Sequence, residues 1–327
     1  MIDGTTFQAR PDRPGYPRYT FDLASPELPC GAGWLANCLI ELGIPAWKPW
    51  NADDRADWHD LGGGRFRYSL PGSPWSRVLP ALVDGREFAF RLGQAVRVHH
   101  VWPTAYPRAD RSVFFVRDPR DALYSAWRRA VASGGAEPSD EGFAAFCRSP
   151  FFHYPIARAD YLLVFLRVWR AALAEHGGTI VRLEDYRGDA AATLASTLAV
   201  LGIEASDAEI ARAAEASSVE RLQAAERRMI EAGVVATRVV RGEPPGEHAR
   251  RLGARERAML DAKFADVAAW LGYPGSPDRA EPATPTDPRV HAALLAAVRR
   301  AGIPVAEPSW LADALAAASH DVRLLPA

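Results

Sequence analysis

Phe114-Phe115-Val116-Arg117-Asp118-Pro119-Arg120-Asp121-Ala122-Leu123-Tyr124-Ser125 reads as an apolar strand that ends on an arginine and turns at once into a helix. The run from Ser112 to Val116 is of the kind buried in a parallel sheet. Asp118 before Pro119 supplies a helix cap and a first-turn proline, so the helix opens there and runs to about Ala130. Arg117 therefore stands at the carboxyl end of a strand, where open α/β sheets bind ligands. Ser125 lies about two turns into the helix, placed so that guanidinium and hydroxyl can close on one phosphate. The plainer alternative makes Arg117 and Asp118 a surface pair.

Outward from this stretch, strands and helices alternate. Arg18 to Leu23 has strand alternation and leads through Cys30-Gly31-Ala32-Gly33 into an apolar helix from about Trp34 to Leu42. Ala95 to Trp102 reads as a strand just before the arginine strand. An amphipathic helix from Ala157 to Glu175 stops at Gly177-Gly178, and the strand Thr179 to Leu183 follows. Further helices are expected over Asp189 to Leu201, Asp207 to Ala214, Val219 to Glu231 and Ala254 to Leu271. The pattern predicts an α/β fold, a parallel sheet covered by helices on both faces. Ile44 to Phe90, with Gly62-Gly63-Gly64 and several prolines, reads as loops and short elements. Residues 1–274 form the α/β domain in this reading and residues 275–288 a Pro-rich linker. Residues 289–327 are a helical C-terminal tail with helices at Val290 to Ala301 and Ser309 to Ser319. The tail is too short for its own core, so it docks on the main domain or on a second copy of the chain in a homodimer.

Composition bounds the function. Among 327 residues, 48% are hydrophobic and 24% charged, the profile of a soluble globular protein and not of a disordered, collagenous or disulfide-rich chain. A net charge of −1 gives no global attraction to nucleic acid or an anionic membrane. Cys30, Cys38 and Cys147 lack metal-ligand spacing and read as free thiols of a reducing compartment, so no metal site is expected. Met1 to Tyr16 has no apolar core of a signal peptide. The most apolar stretch, Tyr161 to Trp169, is broken by Arg167, so a cytoplasmic chain without a membrane span is expected. Only two of the 39 basic residues are lysines, Lys48 and Lys263, so cationic chemistry falls to arginine.

Cys30-Gly31-Ala32-Gly33-Trp34 lets backbone N–H groups approach an anion at a helix N-terminus, although a tight packing turn accounts for Gly31 and Gly33 as well. It lacks the Lys-Ser/Thr ending of a nucleotide-triphosphatase loop, which argues against a P-loop kinase. Val181-Arg182-Leu183-Glu184-Asp185-Tyr186 puts acids at a helix start. Two further stretches complete the set: Ser217-Ser218-Val219-Glu220-Arg221-Leu222, and Arg241-Gly242-Glu243-Pro244-Pro245-Gly246-Glu247-His248.

Taken in order, these segments resemble the sulfotransferases that use 3′-phosphoadenosine 5′-phosphosulfate (PAPS), from about Tyr19 to Tyr273. The Arg117-Asp118-Pro119-Arg120-Asp121-x-x-x-Ser125 run is similar to the family's 3′-phosphate motif. Arg97-Val98-His99-His100-Val101-Trp102-Pro103 resembles its Lys-Thr-His-x-Pro neighbourhood. The resemblance implies a P-loop-like central parallel sheet, PAPS as co-substrate, no metal, and transfer of a sulfuryl group to a hydroxyl of a small molecule or secondary metabolite. It implies that Gly31, Ala32 and Gly33 bind the 5′-phosphosulfate end and that Trp34 stacks on adenine. Arg117, Ser125, Arg241 and Gly242 would hold the 3′-phosphate, with Ser217 near the adenine edge. His100 would take the acceptor proton, imidazole having a pKa near neutrality, while His99 faces the other side of the sheet. The chain departs from the family at Pro29, where a lysine or arginine is usual, and at Ala32 and Gly33, the usual threonines. Lys48 and an arginine that the sequence does not single out are the candidates to replace that lysine. A catalytically weakened nucleotide-binding protein of the same fold is the alternative. Trp47, Trp50, Trp58, Phe66, Tyr68 and Trp75, and the cluster Phe151, Phe152, His153 and Tyr154, either line an acceptor pocket or belong to the core.

Overall fold

The computed structural model describes residues 21–44, 46–47, 58–62, 65–68, 79–83, 86–89, 91, 94–105, 109–234, 238, 240–273, 287–302 and 305–326. Lys48, the segment 275–286 and the side chains of Trp47, Trp50, Trp58, Phe66, Tyr68 and Trp75 lie outside the described residues.

Strand β1 (Phe21–Ala24) runs through a turn into α1 (Ala32–Glu41) and then β2 (Ala46–Trp47). The stretch expected to be irregular holds a small antiparallel sheet of β3 (Trp58–Gly62), β4 (Arg65–Tyr68) and, after α2 (Pro80–Val83), β5 (Glu87–Ala89). Next come β6 (Val96–His99), β7 (Arg111–Val116) and α3 (Pro119–Ala132). Asp118 caps α3 as its sequence predicts, its side chain accepting from the Arg120 N–H at 3.0 Å. Helix α4 (Asp140–Arg148) and the hairpin β8 (Pro150–Phe151) with β9 (Tyr154–Ala157) lead into α5 (Arg158–His176) and β10 (Thr179–Arg182). The chain continues through α6 (Leu183–Gly188), α7 (Ala190–Leu201), α8 (Asp207–Ala216), α9 (Val219–Glu231), α10 (Glu247–Arg251) and α11 (Ala254–Trp270). Helices α12 (Pro288–Arg300) and α13 (Pro308–Ala318) follow.

The main sheet is five-stranded and parallel throughout, in the order β10-β7-β1-β6-β2. Side chains alternate across it. Phe114 and Val116 point into one apolar layer with α3, α5 and α11, and Val113 and Phe115 into the other with α1, α7 and α8. Helices thus cover both faces. The helix after β1 lies on one face and the helix after β7 on the other, although β1 and β7 are neighbours. Their carboxyl ends therefore open a crevice, the topological switch point of the sheet.

Asp22 and Arg97 stand in register on β1 and β6 and are buried together. The guanidinium donates to both carboxylate oxygens, at 2.6 and 2.8 Å, which cancels charges that neither could carry alone in the core. Burial pushes the Cys38 thiol up to about 11 and that of Cys147 up to about 12, so these free cysteines stay protonated near neutrality. Among the described residues no helix is long and apolar enough to cross a membrane.

The tail belongs to the same core. Val290, Leu294, Leu311 and Leu315 are fully buried in the layer that contains Phe114 and Phe165. Buried Arg167 of α5 donates to Asp266 at 2.9 Å and to the carbonyls of Ala318 and His320 at 3.2 and 3.0 Å. Leu324 bridges to Ile156 of β9. Leu315→Ala is expected to cost about 2–5 kcal/mol, as for other buried leucines. Urea unfolding of the variant should shift one cooperative transition; a tail that melts separately, leaving the main transition unmoved, would contradict the shared core.

Candidate functional site

Four strand ends converge on one cavity of about 230 Å³. Gly31, Ala32, Gly33 and Trp34 follow β1, His100 follows β6, and Arg117 follows β7, with Ser125 and Arg129 further along α3. Leu183 and Arg187 of α6 follow β10. Arg241, Gly242, Glu243 and Glu247 close the remaining side.

The turn after β1 is set by Gly31, whose φ of 91° is left-handed and whose added Cβ would meet Leu183 Cδ1 at 2.8 Å. No side chain caps α1 there, and while the Trp34 N–H donates to the Gly31 carbonyl at 2.9 Å, the amides of Ala32 and Gly33 stand at the cavity wall. Arg187 lies over the Trp34 ring with its guanidinium carbon 5.1 Å from the centroid, and donates to the Glu243 carbonyl.

Arg117 is not a surface group. It lies largely covered against Asp121 at 3.6 Å, while Asp118 pairs with Arg120. Asp121 is fully buried and accepts from His248 Nδ1 at 2.6 Å, from the His248 N–H at 2.9 Å and from the Gly246 N–H at 2.6 Å. These bonds fasten α3 to the segment that carries Arg241 and Gly242. Gly242, with a left-handed φ of 75°, suits no other residue well, and an added Cβ would stand only 3.0 and 3.1 Å from Gln223 Nε2 and Val219 Cγ1. Burial pushes the Asp121 carboxyl up, but the bonds from His248 and the charge of Arg117 outweigh it and hold the group well below the usual carboxylate range. Glu184 is more than a helix-start charge: it accepts from Tyr273 Oη at 2.6 Å and from the Asp118 N–H at 3.3 Å.

His100 lies just past the end of β6, which is shorter than its sequence suggests. Its Nδ1 meets Ser25 Oγ at 2.7 Å and the Ser25 carbonyl at 3.3 Å. A carbonyl only accepts, so that second contact selects the tautomer with the proton on Nδ1 and the lone pair on Nε2. His99 is buried elsewhere, its Nε2 3.8 Å from Asp22 and its ring 5.9 Å from that of Trp169. Burial pushes the His99 pKa down, with Asp22 opposing.

Nine of the ten residues singled out from sequence line this cavity. Ser217 does not. It is fully buried at the end of α8, where its Oγ accepts from Asn37 Nδ2 at 2.8 Å. Asn37, buried in α1, needs that partner, so the hydroxyl is spent on joining two helices. Phe151 and Tyr154 belong to the core, while Phe152 is exposed at the hairpin tip with φ of 50°. Sequence reading missed Arg129 and Arg187. Their signal was helical spacing: Arg129 stands four residues beyond Ser125 on one helix face, and Arg187 follows the Leu183-Glu184-Asp185-Tyr186 run directly.

All four cavity arginines carry a buried guanidinium nitrogen without a hydrogen-bond partner among the described residues: Nε of Arg117, Arg129 and Arg187, and Nη1 of Arg241. Buried donors are rarely left so. Several of them around one cavity describe a receptor for a multiply charged anion. Fold and site together define an α/β protein with an arginine-lined cavity at the switch point of its sheet. No protein-family model and no curated protein matches the chain. Among solved structures the chain is similar to mouse sulfotransferase SULT7A1 complexed with PAP, at TM-score 0.48 and 16% identity, over 76% of this chain and 84% of that one. It is similar also to retinol dehydratase in a complex with retinol and PAP, at TM-score 0.48 and 16% identity, over 85% and 86% of the two chains.

Asp121→Asn should remove about 3–5 kcal/mol of stability, the scale of breaking a buried pair, and loosen the segment that bears Arg241. The carboxylate's contribution is complete above its unfolded pKa of about 4 and is lost as pH falls through the depressed folded value. Acid titrations of stability should therefore be shallower below about pH 4 in the variant. Parallel acid limbs in the two proteins would contradict this role.

Proposed function

We propose that the chain is a PAPS-dependent sulfotransferase acting on a hydroxyl of a small molecule, in the cytoplasm. The observation that carries this reading is the cavity in which four arginines present unpartnered donors beside the turn 31–34 and His100. Such a set fits a nucleotide with anionic groups at two positions of its ribose. Arg117, Ser125, Arg241 and the backbone of Gly242 would hold the 3′-phosphate, and the amides of Gly31, Ala32 and Gly33 the 5′ end, with Trp34 against the adenine.

The donor supplies the group: the bond from sulfur to the 5′-phosphate oxygen breaks as a bond from sulfur to the acceptor oxygen forms, the electron pair leaving on the phosphate and the acceptor proton passing to His100. The chain's own contribution is alignment, a base and fixed positive charge. With the proton on Nδ1, donated to Ser25, the imidazole would keep Nε2 as the atom that receives the acceptor's proton. Covering the cavity's apolar walls, Leu28, Leu79, Val98 and Leu222, excludes water from the site.

Calorimetry should show adenosine 3′,5′-bisphosphate binding far more tightly than adenosine 5′-phosphate, because Arg117 and Arg241 lose their partner in the second case. Arg117→Ala should erase the difference, and equal affinities in the unaltered protein would sink the reading. His100→Ala should lower kcat by about 10²-fold or more with nucleotide affinity nearly intact. His99→Ala should lower Tm instead. Full turnover in the His100 variant would take that imidazole out of the reaction.

A further inference from the structure

Arg241 and Gly242 reach the cavity from a stretch, residues 240–246, that is neither helix nor strand. A chain without a ladder must settle its backbone groups elsewhere. Here side chains supply the partners. At the far end Asp121 accepts from the Gly246 and His248 N–H groups. In the middle, Arg187 donates to the Glu243 carbonyl, and Arg250 to the carbonyls of Pro244 and Pro245 at 2.9 and 2.7 Å.

The near end is held from α9. The Val240 N–H donates to Glu226, whose two carboxylate oxygens stand 3.0 and 3.2 Å from it. Gln223, one turn earlier on the same helix, turns its Nε2 to the carbonyls of Val240 and Arg241 at 3.5 and 3.3 Å. One helix face thus addresses both the donor and the acceptor side of the backbone beside Arg241. Glu226 is fully buried, and a buried carboxylate is a costly way to satisfy an N–H that a neutral amide oxygen could also satisfy. Its charge has a second use. Burial and the like charge of Arg241 push the Arg129 pKa down, and Glu226 is among the groups that oppose the shift. The same carboxylate therefore acts on Arg129 by charge and on the backbone next to Arg241 by hydrogen bonding.

We propose that Glu226 is a positioning residue of the cavity: through the Val240 N–H, and with Gln223 on the adjoining carbonyls, it fixes where the Arg241 guanidinium meets the anion. This rests on the nucleotide reading above, in which Arg241 takes the 3′-phosphate, and adds to it what holds Arg241 in place. Glu226 does not itself line the cavity, so its effect on binding passes through Arg241. Two buried carboxylates then clamp the segment, Glu226 at its start and Asp121 at its end.

Calorimetry on the whole chain gives the 3′ contribution as the ratio of the dissociation constants of adenosine 5′-phosphate and adenosine 3′,5′-bisphosphate. Glu226→Ala should lower this ratio about tenfold, the scale of one hydrogen bond to a charged group, with the affinity for adenosine 5′-phosphate nearly intact. Added to Arg241→Ala, it should lower the ratio no further, because the two residues act as a unit. Glu226→Gln keeps an acceptor for the Val240 N–H without the charge and should recover part of the ratio. Should Glu226→Ala fail to fold, Gln223→Ala, which alters a half-buried side chain, decides: it should lower the ratio about threefold, and only while Arg241 is present. A ratio that stays at its unaltered value in the folded variant while Tm falls, or that drops equally with and without Arg241, would overturn the positioning role and leave the nucleotide reading standing. Equal affinities for the two nucleotides in the unaltered protein, or binding of neither, would overturn both.

Discussion

The buried carboxylate of Asp121 holds the cavity together. It joins α3 to a segment 125 residues further along the chain, and it does so through two backbone N–H groups and one imidazole. Backbone donors fix a chain's path more firmly than side chains do, because they have no rotamers with which to drift. The path so fixed is the one that brings Arg241 and Gly242 opposite Arg117. The same carboxylate lies 3.6 Å from Arg117, so a single negative charge orients one arginine and indirectly places a second. Without it, two guanidinium groups would face each other across the cavity with nothing to set their separation.

The sheet explains why so few residues suffice. Because β1 and β7 are neighbours whose helices leave on opposite faces, a turn, a strand-end arginine and a flank of α3 are delivered to one crevice by topology alone. The remaining requirement is charge without lysine. In a chain with two lysines that requirement falls on arginines, whose planar forks demand more exact placement than an ammonium group. Buried acceptors around the cavity, Asp121 for Arg117 and the Glu243 carbonyl for Arg187, supply part of that placement.

Much of this was legible in the sequence, for a local reason in each case. The apolar run before Arg117 and the Asp118-Pro119 start are signals contained within a few residues, and strand β7 and helix α3 sit where they predict. The end of the C-terminal linker was less so: Pro288, which reads as linker, opens α12 under an Asp287 cap. Helix α4 escaped notice, its apolar face being only Phe143, Ala144 and Cys147. That Ser217 lies off the cavity and accepts from Asn37, 180 residues away, leaves no trace in the local sequence. Arg129 and Arg187 were overlooked for a related reason. In a chain rich in arginine, the spacing of Arg129 from Ser125 and of Arg187 from the Leu183-Glu184-Asp185-Tyr186 run is too common a signal to single them out until their neighbours in space are known.

The buried guanidinium of Arg167 bears on the order in which the molecule folds. Two of its acceptors are carbonyls of Ala318 and His320, about 150 residues beyond it, on a stretch that crosses back to pair with β9. During synthesis the sheet and α5 emerge long before those carbonyls exist. Until they arrive, the outer flank of α5 lacks both its polar partners and the apolar cover of α12 and α13. A nascent chain of this design carries an open, sticky helix face from the end of α5 at His176 until α12 begins at Pro288. The finished fold closes only when this late segment returns to it.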